Sequence, residues 1–218
     1  MLHFYFNNSL VKNKNCDVNC NKKEVLLLMR RKNTTTQTMK KYIITALLLL
    51  MEKEPFSQIT IGQITDKAGV NRSTYYRHFH SKEEIIETFF CNILKQSILS
   101  LPETSQNQLS KYLSHIFKSF YQYKKEILII HRNQLSYLLL PALNDYFLEN
   151  VDMINKEFET KVPLYYHTGG IFNDFILWFE HDMEPKPEIF AQIASEICLP
   201  NIKPLLLSNR YYQNKNIK

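Results

Sequence analysis

From Thr34 onward, apolar and polar residues recur with a helical period. "TTTQTMKKYIITALLLLMEKEPF" puts Ile43, Ile44, Leu47, Leu48 and Met51 on one face, a spacing that predicts an amphipathic helix. Thr34 with Gln37 three residues on would cap its start, and Pro55 would stop it. Thr60 and Gln63 repeat the T-x-x-Q box, and "ITIGQITDKAG" runs about two turns to Gly69, the residue type suited to a left-handed turn. Asn71 is placed to cap a third helix through about Phe79. Ser81 with Glu84 makes an S-x-x-E box for a fourth, "SKEEIIETFFCNILKQSILS".

Past Pro102, "SQNQLSKYLSHIFKSFYQYKKEILIIHRNQLSYLLLPALNDYFLENVDMINKEF" predicts three more amphipathic stretches, broken near Lys124 and at Pro141. After Pro163, "LYYHTGGIFNDFILWFEHDM" is apolar almost all round. "PEIFAQIASEIC" repeats Ile189, Phe190, Ile193, Ala194 and Ile197 at helical spacing. A helix with that little polar surface must be covered on more than one side.

Composition narrows the class. With four glycines and eight prolines in 218 residues, 44% of them hydrophobic, the chain is long enough for a good core and favours long helices over many short strands. An all-α fold is expected. Cys16 and Cys20 lack a second Cys or His pair at zinc spacing, and Cys91 and Cys198 lie in helical patterns, so neither a disulfide framework nor a metal site is expected and a reduced cytoplasm fits. The run "YIITALLLLM" is about half the length that spans a bilayer, so no membrane association is expected.

Charge is unevenly distributed. Residues 29–82 carry ten Lys or Arg against three acids, and residues 83–218 carry thirteen against sixteen, so a net +6 chain concentrates its positive charge at one end. Residues 1–28 show no helical or strand period and are rich in Asn, the character of a flexible tail. Lys23, Glu24 and Val25 can be encoded by a ribosome-binding sequence shortly before Met29, which motivates the hypothesis that the natural start is Met29 and the preceding residues are a translated leader; as a domain, 1–33 is expected to be a flexible or non-native leader. An intact mass that includes residues 1–28 would sink it. Arg30, Arg31 and Lys32 would then form a basic arm or tail.

Inside the basic region lies "GVNRSTYYRHF". Two short helices joined by a glycine turn, the second polar and basic, form a helix-turn-helix whose second helix can enter the DNA major groove. On that helix Tyr75 and Phe79 share a face, near Val70, and should pack against helix one. Arg72 in the first turn can reach guanine O6 and N7, and Ser73 a neighbouring base edge. Thr74, Tyr76 and His78 offer donors to phosphates, and Lys82 adds its charge to the backbone N–H groups opening helix four. Thr60 and Asn71 complete the expected DNA-binding set. Arg77 and His80 are read as surface residues.

At these residues the chain resembles the TetR/AcrR family of bacterial transcriptional regulators. The match runs from about Met39 to Phe90, with Thr60, Ile64, Ala68, Gly69, Val70, Thr74, Tyr76, His78, Phe79 and Lys82 at signature positions. Thr65 stands for the usual alanine and Asn71 for the usual Ser or Thr cap. Gly62 is a poor helix former, which bears on whether helix two contributes a base contact. The resemblance implies about nine helices: a helix-turn-helix domain at 34–82, connecting helix four at 83–100, and a ligand-binding and dimerisation domain at 101–200, followed by a flexible tail at 201–218. It implies a homodimer on a palindromic double-stranded DNA operator, released by an unidentified small-molecule effector, with no cofactor. The last two helices would form the dimer interface, assigned to Phe172, Phe175, Phe179, Ile189, Ile193 and Ile197. The "GGI…W…P" arrangement also looks like the C-terminal region of regulators of dihydroxyacetone kinase operons.

The ligand site stays open. Phe117, Phe120, Tyr121, Tyr137, Tyr166, Phe172 and Trp178 could line a pocket or be core, and His131 and Arg132 could bind an anion or lie at the surface. Enzymatic activity is not expected: no glycine-rich phosphate loop, H-E-x-x-H or G-x-S-x-G is present. The competing reading is a DNA-binding adaptor or coactivated regulator whose C-terminal domain holds a protein partner.

Overall fold

The computed structural model describes residues 22–100, 109–150 and 158–197, and every regular element among them is helical. The nine α-helices are α1 (Lys22–Met51), α2 (Ile61–Ala68), α3 (Arg72–His78), α4 (Lys82–Leu99), α5 (Leu109–Tyr121), α6 (Lys124–Arg132), α7 (Leu139–Asn150), α8 (Phe158–Glu180) and α9 (Pro187–Ile197). Single 3₁₀ turns lie at Phe56–Gln58 and Ser136–Leu138. The chain forms two compact units, Met1–Thr38 and Met39–Lys218. The first supplies the start of α1, and the second holds the rest of α1 and every other element named here. No helix of the described residues is long and apolar enough to cross a membrane.

Helix one differs from its expected start. It begins at Lys22 and runs through Thr34 and Gln37 without a break. A T-x-x-Q box caps a helix only where the chain before it is not helical. Residues 22–33 hold Leu, Met, Arg, Lys and Glu and neither Gly nor Pro, so extending the helix costs less than nucleating one anew at Thr34. The expected leader at 1–33 is thus helical from Lys22, and its first 21 residues lie outside the described residues, as do Cys16, Cys20, Cys198 and the 201–218 tail.

The next caps form where expected. Thr60 Oγ1 accepts from Gln63 N at 3.2 Å, and the Gln63 side chain takes Thr60 N–H at 2.8 Å, a complete capping box. Gly69 closes α2 at φ 66°, the left-handed conformation in which a Cβ is costly. Asn71 Oδ1 accepts from Thr74 N at 2.8 Å to open α3. At α4 Ser81 Oγ accepts from Glu84 N, but Glu84 answers to His80 rather than Ser81, taking its N–H at 2.6 Å. The box at α4 is therefore shifted by one residue on its return arm.

One apolar core runs through this unit, from Ile43, Leu47 and Met51 of α1 and Tyr75 and Phe79 of α3 to α4 and the helices beyond. In the C-terminal half α5 packs on α9, α4 on α7 and α5, and α7 on α8. At their centre Phe120 meets Phe175 at 4.5 Å between ring centroids, Phe117 meets Phe190 at 4.8 Å, and Trp178 stacks on Phe190 at 5.2 Å. Trp178 Nε1 donates to the Pro185 carbonyl at 2.8 Å, fastening the turn between α8 and α9.

Those rings answer the pocket question in part. Phe117, Phe120 and Trp178 are fully packed core, Tyr121 and Phe172 are half-buried, and Tyr137 and Tyr166 face outward. His131 Nδ1 pairs with Ser136 Oγ at 3.0 Å, and exposed Arg132 lies 3.6 Å from Asp182. Both candidate anion ligands already have partners within the chain, and Arg132 lies at the surface.

Candidate nucleic-acid interface

Helix α3 is only seven residues long, so its inner face needs few anchors. Tyr75 and Phe79 supply them, both wholly buried, with Lys40 Nζ of α1 5.3 Å from the Phe79 ring centroid. The Tyr75 hydroxyl is buried without a hydrogen-bond partner, and burial, then Tyr76, Glu83 and Glu84, push its pKa up to about 12. The ring, rather than the hydroxyl, therefore holds the helix in place.

The opposite face gathers Asn71, Arg72, Ser73 and Tyr76, all exposed, with Tyr76 packed edge-on against Tyr75 at 5.3 Å. Each tyrosine of the pair thus has its own side, one inward and one outward. Ser73 Oγ donates to Asn71 Oδ1 at 2.8 Å, so its proton is committed and it presents lone pairs to an incoming donor. Thr74 is half-buried and accepts from Arg77 Nη2 at 3.4 Å. Half-buried His78 is held below the ordinary histidine pKa by burial first and then by Arg77 and Lys40, so it is neutral at neutral pH.

Besides the Asn71 cap, two more residues of the expected DNA-binding set have duties inside the fold. The Thr60 hydroxyl also donates to Gln63 Oε1 at 2.7 Å, so both hydroxyl roles serve the cap. Lys82 Nζ donates to the carbonyls of Phe56 and Ile59, each at 2.7 Å, and sits 4.5 Å from the Phe56 ring centroid. The ammonium that the sequence aims at phosphate spans the connection between α1 and α2, with two of its three donors engaged. The opening turn of α4 is otherwise acidic, with Glu83 and Glu84.

Lys40 is the residue that sequence reasoning missed. It counts in the basic excess of residues 29–82 but belongs to no motif, and only the packing of α1 on α3 brings it over Phe79 and close enough to lower the pKa of both His78 and Glu84. His80 stays outward, its Nδ1 3.0 Å from Glu84.

The far side of the connection is tied to the C-terminal helices. Phe56 N–H donates to Asn133 Oδ1 at 2.9 Å, and Lys125 pairs with Glu52 at 2.8 Å. Phe56 is therefore gripped at its N–H by the residue after α6, and at its carbonyl and ring by Lys82.

The residues expected at a dimer interface divide. Ile189, Ile193 and Ile197 of α9 are each at least half exposed and Phe172 is half-buried, whereas Phe175 and Phe179 are sealed in the interior against Phe117, Phe120 and Trp178. A helix apolar all round leaves the choice of inner face to its neighbours. Here α5 and α9 take the Phe175 side, and Tyr166 and Leu177 look outward.

A capped α2, a left-handed glycine turn and a polar, basic α3 on two buried rings define a helix-turn-helix DNA-binding head. Residues 43–88 match the family model described as bacterial regulatory proteins, tetR family. The match thus covers the head, from within α1 to within α4. No curated protein matches the chain. Among solved structures the chain is similar to a TetR transcriptional regulator from Streptococcus agalactiae 2603V, at 19% identity and TM-score 0.42 over 84% of this chain and 99% of that one. It is also similar to a tetR-family transcriptional regulator from Streptomyces coelicolor, at 14% identity and TM-score 0.41 over 72% and 79%. At such TM-scores neither overlay bears on how the helices are arranged here.

Proposed function

We propose that this chain is a dimeric repressor that reads a palindromic operator with α3 and leaves it when a small molecule binds the C-terminal helices. The observation that carries the reading is the two-faced α3: Tyr75 and Phe79 fully buried, with Arg72, Ser73 and Tyr76 presented together on the outer side. Arg72 reads a base edge, Ser73 its neighbour, and Tyr76, Thr74 and His78 set the register on phosphates. Asn71 and Thr60 act as caps that hold the two helices at their angle.

Dimerisation is assigned to the outer faces of α8 and α9, where Ile189, Ile193, Ile197, Tyr166 and Leu177 stand exposed beside Gly169 and Gly170, whose Cβ positions have open space around them. The likeness to dihydroxyacetone kinase operon regulators belongs to this proposal, since the Trp178 bond to Pro185 orders the α8–α9 turn that carries this face. An open cleft between α4 and α5, lined by Gln96, Ser100, His115, Lys118 and Tyr123 among others, is the place offered to an effector. The Asn133 and Lys125 ties to the α1–α2 connection give such binding a route to the head. A cytoplasmic, non-enzymatic protein is what this reading implies.

The test is selection of bound duplexes from a random pool at physiological salt. A palindrome with half-site centres about one helical turn, or a multiple, apart is expected. No enrichment by the purified chain would overturn the stand-alone repressor and favour a regulator that needs a coactivating ligand or a protein partner. On the selected site, Arg72→Ala is expected to cost about 1–3 kcal/mol and relax preference at one base pair per half-site.

A further inference from the structure

Gly62 lies inside α2, where glycine is a poor choice for a helix, and its φ is not in the positive region that would call for one. The backbone therefore does not explain the residue. Its surroundings do. A Cβ built on Gly62 would stand 3.2 Å from Arg72 Nη2 and 3.7 Å from Thr60 Oγ1, closer to the guanidinium than such atoms comfortably approach. The bare backbone of α2 is the floor on which the Arg72 side chain rests. That floor is itself fixed: buried Thr65 donates its hydroxyl to the Gly62 carbonyl at 2.9 Å, and the Thr60 cap holds the first turn from the other side.

We propose that Gly62 is a positioning residue for sequence reading: by lacking a side chain it seats the Arg72 guanidinium against α2 and so sets which base edge that fork meets. The inference rests on the DNA-reading role proposed for α3. Arg72 is otherwise exposed on the first turn of α3, with a long side chain whose freedom must be lost on binding. A seat built into the neighbouring helix removes part of that loss beforehand and favours one approach over others. Any side chain at position 62 lifts the guanidinium off the floor by a few tenths of an ångström or swings it to another rotamer. Helix two then contributes to specificity without touching a base, through the space it leaves.

The test compares Gly62→Ala, Arg72→Ala and the double variant with the unaltered chain. Each is measured on the selected operator and on operators altered at single base pairs, and the melting temperature of each protein is recorded. Gly62→Ala is expected to raise the melting temperature by about 2–4 °C, because alanine is the better helix former. It is also expected to reduce discrimination, by up to about tenfold, at the base pair that Arg72→Ala identifies. A purely structural glycine cannot produce a stabler protein that reads one position worse. In the Arg72→Ala background the same substitution should still raise the melting temperature and leave discrimination unchanged. Undiminished discrimination in Gly62→Ala, or an equal loss in both backgrounds, would overturn the seat while leaving DNA reading intact. An unaltered chain with no preference among duplexes would remove the reading role itself, and the seat with it.

Discussion

Helix α3 and the α8–α9 pair are both two-faced, and their outer faces carry opposite chemistry. Seven-residue α3 buries the Tyr75 ring, with its C-cap Phe79 buried beside it, and shows Arg72, Ser73, Tyr76 and Arg77, with no acid on the helix. Twenty-three-residue α8 buries Ile171, Phe175, Trp178 and Phe179 and still shows Tyr166 and Leu177, while α9 shows Ile189, Ile193 and Ile197. An exposed cationic and hydroxylic face gains by meeting a polyanion, whereas an exposed aliphatic face gains by leaving water. The same device, a helix half used by its own core, marks two different kinds of partner. The comparison also shows why the faces were unequally legible. A polar helix with two rings has only one way to turn, but an apolar one can turn several ways.

Two apolar residues, one on the buried face and one on the exposed face, separate core from partner surface. Phe175→Ala should cost about 3–5 kcal/mol in urea denaturation, because a ring at the centre of the aromatic cluster is replaced by a cavity. Ile193→Glu should leave the fold standing and shift the sedimentation of the purified protein from the proposed dimer to monomer. If instead Phe175→Ala dissociates the protein without destabilising it, α8 has been turned the wrong way round.

Lys82 tests where the head ends and the scaffold begins. Lys82→Met removes two charge-assisted hydrogen bonds to the Phe56 and Ile59 carbonyls and should lower stability by about 1.5–3 kcal/mol. The salt dependence of DNA affinity should then change little. A slope reduced by about 0.9 per site with unchanged stability would return the ammonium to phosphate.

His78 offers a smaller effect with a definite sign. Its pKa in the protein alone lies below 6.5, mainly through burial, so the imidazole is neutral at neutral pH. A phosphate oxygen beside it would favour the imidazolium and raise that pKa, so protons are taken up on binding. Affinity should therefore rise as pH falls below about 6.5 and level off once the unbound protein is protonated too, a gain within about tenfold per half-site. Fluorescence anisotropy across that range checks it, with His78→Asn expected to flatten the profile.

The smallest change is expected from Tyr75→Phe. Removing a buried hydroxyl with no partner while keeping the ring should shift stability by at most about 1 kcal/mol, toward greater stability. A loss of 2 kcal/mol or more, on the order of an orphaned hydrogen bond, would mean that the hydroxyl has a partner in solution. The tyrosinate transition near pH 12, read by ultraviolet absorbance, should lose one group.

Legible in the sequence were features that act within a turn or two of chain. Thr60 with Gln63, Gly69 and Asn71 specify α2, the turn and α3 through bonds to their own neighbours, and the inward pairing of Tyr75 with Phe79 follows from a spacing of four. The all-helical class followed in the same way from period and from scarce glycine. Tertiary structure decided whatever depended on partners distant in sequence: that Lys82 bridges Phe56 and Ile59, that Lys40 leans over Phe79, that Phe175 and Phe179 turn inward, and that Gly62 makes room for Arg72. Even Thr34 belongs with these, since a cap sequence becomes a cap only if the preceding residues are not already helical. Local hydrogen bonds can be assigned from spacing because the chain itself brings the two groups together, whereas a long side chain or an all-apolar helix has several destinations of similar energy, and the packing of the remaining elements selects one.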